Sequence, residues 1–249
     1  MLDSENAHLL PPGLTLAWGV TPASRRGPKP AHSIGQIVEA AVELADDDGL
    51  AAASMPNIAA QLGFTTNALY RYVSSKEELT VLLADAGWGP PPGDLVRDGD
   101  WRATAKAWAQ AAIDRYRTRT WLLDIPLRGA PVTPNLLRWM EILLQALAGT
   151  GLAHGELFGS ALLLDGFARS AAARARGQTE GHITAERTAA MQAFLEPLLK
   201  GGGYPLVASM MSDGRFWEVS EVDFGLDRLL DGIEAHSSTH SDDSQSCTA

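Results

Sequence analysis

The sequence has one cysteine, little positive charge and no long apolar run. Cys247, the only cysteine among 249 residues, lies in a polar C-terminal stretch. This excludes a disulfide framework and a cysteine-based metal site, and it argues against a buried cysteine nucleophile. The formal net charge of −10 and the pI near 5.0 exclude a protein that coats nucleic acid by bulk electrostatic attraction. Any DNA-binding surface must be a local patch.

The chain also lacks the patterns of membrane, secreted and catalytic proteins. No segment approaches the roughly 18 apolar residues of a membrane helix, and the N-terminus has no basic region ahead of its apolar residues. We find no G-x-S-x-G, H-E-x-x-H, C-x-x-C, phosphate-binding loop or dinucleotide fingerprint, and the six histidines are scattered. These absences predict a cytoplasmic protein that is not an enzyme and that has no metal site and no cofactor.

What the sequence does contain is a segment, residues 54–86, with the pattern of three short helices. The first has apolar residues at the i, i+3, i+4 and i+7 spacing of one helical face, with Ser54 as its N-cap and Gly63 as its end. The second begins at a Thr65 N-cap. A short turn containing glycine between two such helices is typical of a helix-turn-helix, whose second helix enters the major groove of DNA.

Capping patterns predict where the neighbouring helices begin. Ser74 and Ser75 each have a glutamate three residues further on, which completes a capping box at the start of the third helix. Ser33 and Gln36 form the same pattern at the start of an earlier helix, whose apolar face supports the helix-turn-helix. Residues 33–86 therefore form one small helical unit.

The stretch LGFTTNALYRYVSSKEEL, residues 62–79, resembles the DNA-binding segment of the tetracycline-repressor (TetR) family. Nearly every position of the family pattern is filled. The resemblance implies base contacts through some of these side chains and phosphate contacts through others, and the chemistry agrees, since Asn pairs with adenine and Arg with guanine. The predicted DNA-binding residues are Arg25, Arg26, Thr65, Thr66, Asn67, Tyr70, Arg71, Tyr72 and Lys76.

Several features leave alternatives open. Tyr72 is equally suited to be a core aromatic, and Arg71 could simply be solvated. Residues 25–88 contain five basic and eight acidic side chains, and Met55 and Pro56 replace the Thr or Arg with which many family members contact phosphate. The RRGPKP segment, residues 25–30, is placed like an arm that reaches the minor groove, but it could equally be a solubilising tail.

Helical periodicity continues beyond a Pro/Gly linker at residues 87–100, and no strand-like alternation appears. We therefore predict an all-α fold, with an N-terminal three-helix DNA-binding domain that contains the helix-turn-helix and a larger helical-bundle regulatory domain. The predicted divisions are an extended, basic N-terminal arm (1–32), the DNA-binding domain (33–86), a ligand-binding and dimerisation domain (87–236) and a disordered tail (237–249).

The resemblance implies that the larger domain dimerises and binds a small molecule between its helices. For dimerisation we favour the helices at 153–176 and 220–235. Asp165 interrupts an apolar helix, where a buried carboxylate needs a partner or a cationic ligand group, although it could also face solvent or Arg169. The predicted ligand-binding residues, for which an ordinary hydrophobic core is the alternative, are Trp108, Tyr116, Trp121, Trp139, Met140, Phe158, Leu162 and Phe167.

Together these features predict a ligand-responsive, sequence-specific transcriptional regulator that acts as a homodimer. Its partners would be a double-stranded DNA operator and a small hydrophobic or aromatic effector that releases the repressor from a palindromic site. The alternative is a helical small-molecule-binding protein whose DNA-reading segment is vestigial.

Overall fold

The computed structural model describes residues 9–20, 33–97, 99–126, 132–181, 184–212 and 222–246. These residues form helices joined by loops and contain no β-strand, which confirms the all-α prediction. No helix within them is long and apolar enough to cross a membrane. In chain order the helices are α1 (Leu14–Ala17), α2 (Ile34–Asp48), α3 (Met55–Gln61), α4 (Thr66–Leu69), α5 (Lys76–Trp88), α6 (Trp101–Thr118), a 3₁₀ helix (Thr120–Asp124), α7 (Pro134–Ala148), α8 (His154–Gly181), α9 (Ala185–Gly201), α10 (Pro205–Ser212) and α11 (Val222–Ser246).

Side-chain caps start the helices of the N-terminal domain at the predicted positions. Ser33 and Gln36 form a complete capping box at the start of α2. Ser54, Thr65 and Ser75 each accept a hydrogen bond from a backbone N–H in the first turn of α3, α4 and α5. Each cap satisfies an N–H group that the helix itself leaves unpaired and contributes roughly 1 kcal/mol. Hydrogen bonds between residues close in the sequence therefore set where these helices begin.

The N-terminal domain packs α2 against α3 and α5, and α3 against α4. Its core consists of apolar side chains with almost no exposure to solvent. Leu69 and Val73 anchor α4 and the turn that follows it in this core, so the opposite side of α4 is left open. The fully buried residues of this core include Ile37, Ala41, Ile58, Leu69, Val73 and Leu83.

Helix α5 connects the two domains. It runs to Trp88, two residues beyond the predicted boundary, and the Trp88 side chain is buried against Tyr116 and Trp139 with ring centroids 5.1 Å away in each case. Gly87 lies so close to the 3₁₀ helix that an added Cβ would be 2.3 Å from the ring of Trp121. The end of the DNA-binding domain is therefore part of the core of the regulatory domain.

The regulatory domain packs α6 against α7 and α8, with α11 against α8. Trp108 of α6 donates a hydrogen bond of 2.7 Å from its indole to the carbonyl of Trp139 in α7. Arg102 of α6 forms ion pairs with Asp231 and Glu234 of α11. Helices α9 and α10 pack against each other. Together α6, α7, α8 and α11 form the predicted helical bundle.

Part of the N-terminal arm is folded, in contrast to the predicted extended conformation. Residues 9–20 include α1, which packs against α5, and the Trp18 indole donates a hydrogen bond of 2.9 Å to the carbonyl of Val132. Gly13 has a positive φ of 78° and lies against the backbone of Glu78. The prolines exclude a long helix here but not a single turn. Arg25 and Arg26 lie outside the described residues.

The final helix also differs from the prediction. Periodicity predicted its end near residue 235 and a disordered tail after it, but α11 continues to Ser246. Extending an existing helix adds one hydrogen bond for each residue that is ordered, so continuation is far less costly than nucleation. A polar composition alone therefore does not stop a helix that packing has already started.

Asp85 of α5 is hydrogen-bonded to α7, and its substitution tests how much this contact between the two domains stabilises the protein. Its nearly buried carboxylate accepts hydrogen bonds of 2.8 Å from the backbone N–H of Asn135 and of 3.0 Å from its side-chain amide. We expect Asp85→Ala to lower the free energy of unfolding by about 1–3 kcal/mol, because buried donors lose their acceptor. Urea denaturation at fixed protomer concentration measures this. Asp47→Ala, at an exposed position on α2, should change it by less than about 0.5 kcal/mol, and equal losses would contradict the prediction.

Candidate DNA-binding and ligand-binding sites

The open side of α4 and of the turn after it carries the predicted base-reading residues Thr66, Asn67 and Arg71, and also Tyr70, which the resemblance places at the phosphate backbone. Asn67, Tyr70 and Arg71 are exposed, and Thr66 is partly exposed. Neither Arg71 nor Lys76 forms an ion pair with any described residue. Amide, guanidinium and hydroxyl groups on a short, well-anchored helix and the turn after it are the groups that recognise base edges and phosphates in a major groove.

Two of the predicted DNA-binding residues also have structural roles. Thr65 caps α4 through a hydrogen bond of 3.3 Å from the backbone N–H of Ala68, which still leaves its hydroxyl proton available as a donor. Tyr72 is partly buried and stacks on Phe64, with ring centroids 5.8 Å apart and an angle of 19° between the ring planes. This stacking favours the alternative that Tyr72 is mainly a packing residue.

The N-terminus of α5 presents Lys76 to solvent beside the reading helix. Glu78 folds back and accepts hydrogen bonds from the backbone N–H and the hydroxyl of Ser74, while its own N–H donates to Ser75. Glu78 is therefore committed to the cap. The ammonium group of Lys76 remains as the charged group that can bind a phosphate.

The acidic residues of the DNA-binding domain are placed so that several face away from the reading helix. Asp46 accepts hydrogen bonds from Arg119, at 3.2 Å, and from the indole of Trp121, at 2.7 Å, so it faces the regulatory domain. Glu43 accepts a hydrogen bond of 2.6 Å from Gln61. Asp85 binds Asn135. Of the eight acidic residues, Asp46 and Asp85 are thus directed toward the regulatory domain.

The start of α3 differs chemically from the family pattern, as the sequence indicated. Met55 is 5% exposed and belongs to the core. Pro56, in the first turn, has no N–H to donate. Neither side chain can supply the phosphate contact that a Thr or Arg makes at this position.

Five of the predicted ligand-binding residues are at the centre of the regulatory domain. Trp108, Tyr116, Trp121 and Trp139 are each 2% exposed, and Met140 is 6% exposed. The Trp108 and Trp139 rings meet edge to face at 6.0 Å, and the Trp139 indole donates a hydrogen bond of 3.0 Å to the carbonyl of Gly89. These tight contacts favour the alternative that the cluster is a hydrophobic core.

The remaining three do not converge with this cluster, contrary to the prediction. Phe167 is partly buried and lies where a Cβ on Gly225 of α11 would meet its ring at 2.7 Å. Phe158 and Leu162 are 38% and 44% exposed. The reason is helical phase: the core face of α8 is occupied by Ala161, Leu164 and Ala168, and residues 158 and 162 fall to one side of it.

Two positions that contact the aromatic cluster were not predicted from the sequence. Trp88 joins the aromatic cluster from a segment that its Pro/Gly neighbours marked as a linker. Arg169 donates hydrogen bonds to the carbonyls of Leu122, Leu123 and Ile125 at the end of the 3₁₀ helix, and its guanidinium carbon lies 5.7 Å above the Tyr116 ring. The one signal for Trp88 in the sequence was a tryptophan within a predicted linker. The contacts of Arg169 join segments far apart in the chain, so only the folded structure shows them.

A cleft of about 200 Å³ lies between α9 and α10. It is lined mainly by polar and flexible side chains such as Gln192, Glu196 and Lys200. None of the predicted ligand-binding residues borders it. The cleft is therefore separate from the predicted ligand site.

Comparisons with known proteins agree with this geometry. Residues 37–82 match the family described as "Bacterial regulatory proteins, tetR family", and residues 94–237 match "Tetracyclin repressor-like, C-terminal domain". The chain is 37% identical over 228 residues to the HTH-type transcriptional repressor DrrR1 of Streptomyces coeruleorubidus, covering 89% of this chain and 84% of that protein.

Solved structures of ActR from Streptomyces coelicolor share the fold. Apo ActR superimposes with a TM-score of 0.68 at 21% identity, covering 86% of this chain and all of ActR. ActR in complex with actinorhodin gives 0.66 at 22% identity, covering 84% of this chain and 99% of ActR. With both domains matched, the chain belongs to the TetR family of bacterial regulatory proteins and is, as the sequence predicted, a transcriptional regulator and not an enzyme.

Proposed function

We propose that this protein is a repressor that binds a palindromic DNA operator as a homodimer and leaves it when a small hydrophobic or aromatic effector binds. The observation that carries the proposal is the open side of α4 and of the turn after it, where Asn67 and Arg71 are exposed while Leu69 holds the helix in the core. The similarity to the repressor DrrR1 supports the direction of regulation. A protein bound to chromosomal DNA works in the bacterial cytoplasm.

The proposed dimer interface is formed by α8 and α11. On α8, Gly159, Leu163 and Gly166 form a strip at the i, i+4, i+7 spacing, and Leu163 is 51% exposed. A Cβ added to either glycine would meet nothing within 4 Å in one subunit. Phe224 on α11 is 60% exposed. Two such surfaces related by a two-fold axis would form an isologous four-helix contact.

Helix α5 is the proposed connection between effector and operator. Its first turn lies beside the reading helix, and its last residue, Trp88, lies in the aromatic cluster. The two reading helices of a dimer must be roughly 34 Å apart to enter successive major grooves. An effector that binds better to a dimer with a different spacing lowers operator affinity by its differential affinity for the two states.

Selection from a random pool of DNA duplexes tests this function. The purified full-length protein is incubated with the pool at near-physiological salt, and the bound duplexes are sequenced. Enrichment of a two-fold-symmetric site is the expected result, because a dimer places two identical reading helices on the DNA. If no motif is enriched, the protein is instead a small-molecule-binding protein with a vestigial DNA-reading segment.

A further inference from the structure

Asp165 has an unusual environment for a carboxylate. It lies on α8, half-buried among apolar helices, and it accepts no hydrogen bond from any described residue. Burial raises the pKa of this carboxyl group, and the opposing effect of Arg169 does not cancel that rise. A charged group kept in such a place without a hydrogen-bond donor reduces stability.

The nearest cation, Arg169, is already committed to other groups. It lies one helical turn beyond Asp165, but its guanidinium donates to carbonyl groups of the 3₁₀ helix and covers the Tyr116 ring. Burial raises the pKa of Tyr116 to about 12, and the charge of Asp165 adds to this effect. Tyr116 thus remains a neutral phenol beside the carboxylate. Arg169 lowers the pKa of Asp165 through its charge, but its N–H groups donate to the carbonyls, so the carboxylate has no hydrogen-bond donor among the described residues.

An apolar surface leads directly to this charge. Phe158, Leu162, Asp165 and Arg169 follow the i, i+4, i+7, i+11 spacing of one helical strip. Phe158 and Leu162 are the exposed part of that strip. Phe167 and α11 lie on the other side of α8, and the strip of Gly159, Leu163 and Gly166 faces outward between them. The two strips border each other along the exposed face of α8.

We propose that Asp165 binds a protonated amine of the effector, whose aromatic body packs on Phe158 and Leu162. This proposal rests on the proposed function and adds to it the chemical class of the effector, an aromatic cation. A charge-assisted hydrogen bond at a half-buried carboxylate is stronger than a neutral one. The apolar strip supplies the burial of the rings, and the carboxylate selects for the amine.

The test compares two compounds with the same ring system. 1-Naphthylmethylamine is a cation at neutral pH, and 1-naphthalenemethanol is neutral; each is titrated calorimetrically into the full-length protein. The amine is expected to bind about 10- to 100-fold more tightly. Asp165→Asn should remove this difference and leave the affinity for the alcohol unchanged. Asp223→Asn, at an exposed position on α11, should retain the wild-type difference. Equal affinities in the wild type, or no binding of either compound, would overturn the proposal.

Two further measurements separate this role from structural ones. Because the pKa of Asp165 is higher in the folded state, its ionisation reduces the free energy of unfolding as pH rises through that pKa. Asp165→Asn should therefore raise the Tm at pH 8, whereas a lower Tm would indicate a structural carboxylate. Leu162→Ser should weaken amine binding without changing the dimer in sedimentation. A monomeric Leu162→Ser would mean that a second copy covers the strip.

The failure of this proposal differs from the failure of the proposed function. DNA selection uses no effector, so enrichment of an operator together with equal affinities for the two naphthyl compounds would reject only the aromatic cation. Conversely, tight amine binding without any enriched DNA would reject only the repressor.

Discussion

Arg71→Ala is expected to weaken binding to the selected operator by about 1–3 kcal/mol, or roughly 5- to 150-fold in Kd, with little effect on random DNA. The guanidinium is exposed in the turn after α4, and no described acid forms an ion pair with it. Its loss should also relax selectivity at one base pair in each half-site. Fluorescence anisotropy with operator and scrambled duplexes measures both effects.

Two other substitutions identify what Arg71 contributes. Lys76→Ala should weaken binding to operator and random duplexes by a similar factor and reduce the salt dependence, because a phosphate contact carries no sequence information. Arg187→Ala, at an exposed position on α9, removes the same charge as Arg71→Ala at a distant position. If Arg71→Ala weakened both duplexes equally, Arg71 would be a phosphate contact. If it behaved like Arg187→Ala, Arg71 would be a solvated side chain.

Trp139→Ala should lower the free energy of unfolding by about 3–5 kcal/mol. Trp139 is 2% exposed, meets the rings of Trp88 and Trp108, and donates a hydrogen bond to Gly89. Its removal leaves a large cavity and an unpaired carbonyl where α5 enters the regulatory domain. Urea denaturation at fixed protomer concentration gives this value, since the stability of a dimer depends on concentration.

The matched control for this substitution is Trp18→Ala. Trp18 is 50% exposed and makes one indole hydrogen bond, to Val132, so its loss should cost at most about 1 kcal/mol. A loss below about 1 kcal/mol for Trp139→Ala would contradict its role as a core residue. In that case the aromatic cluster would instead line an effector cavity, as the sequence predicted for these residues.

The helix-turn-helix was predictable almost residue by residue. Ser54, Thr65 and Ser75 cap helices where expected, because a cap depends on a side chain and an N–H three residues away. Whether Tyr72 contacts DNA or packs in the protein was not predictable from the sequence. Its stacking on Phe64 depends on the turn between α3 and α4, and spacing alone does not determine that contact.

The ligand-binding residues were the least predictable part. Periodicity grouped aromatic side chains from four helices, but it carries no information on how those helices are rotated against one another. In the folded protein Trp108 and Trp139 meet in the core, whereas Phe158 and Leu162 face outward beside Asp165. The pattern of apolar residues in the sequence was compatible with a single pocket. In the structure, the rotation of α8 about its axis places some of these residues in the core and others on an exposed strip.

The sequence by itself determined the all-helical class, the starts of α2 to α5 and the chemistry of the reading helix. These features arise from interactions within one or two helical turns, which caps and apolar spacing specify directly. The tertiary structure alone decided that Trp88 joins the regulatory core, that residues 9–20 fold against α5, and that the N–H groups of Arg169 donate to the 3₁₀ helix and not to Asp165. Each of these depends on segments far apart in the chain, and their contacts exist only once the helices have packed.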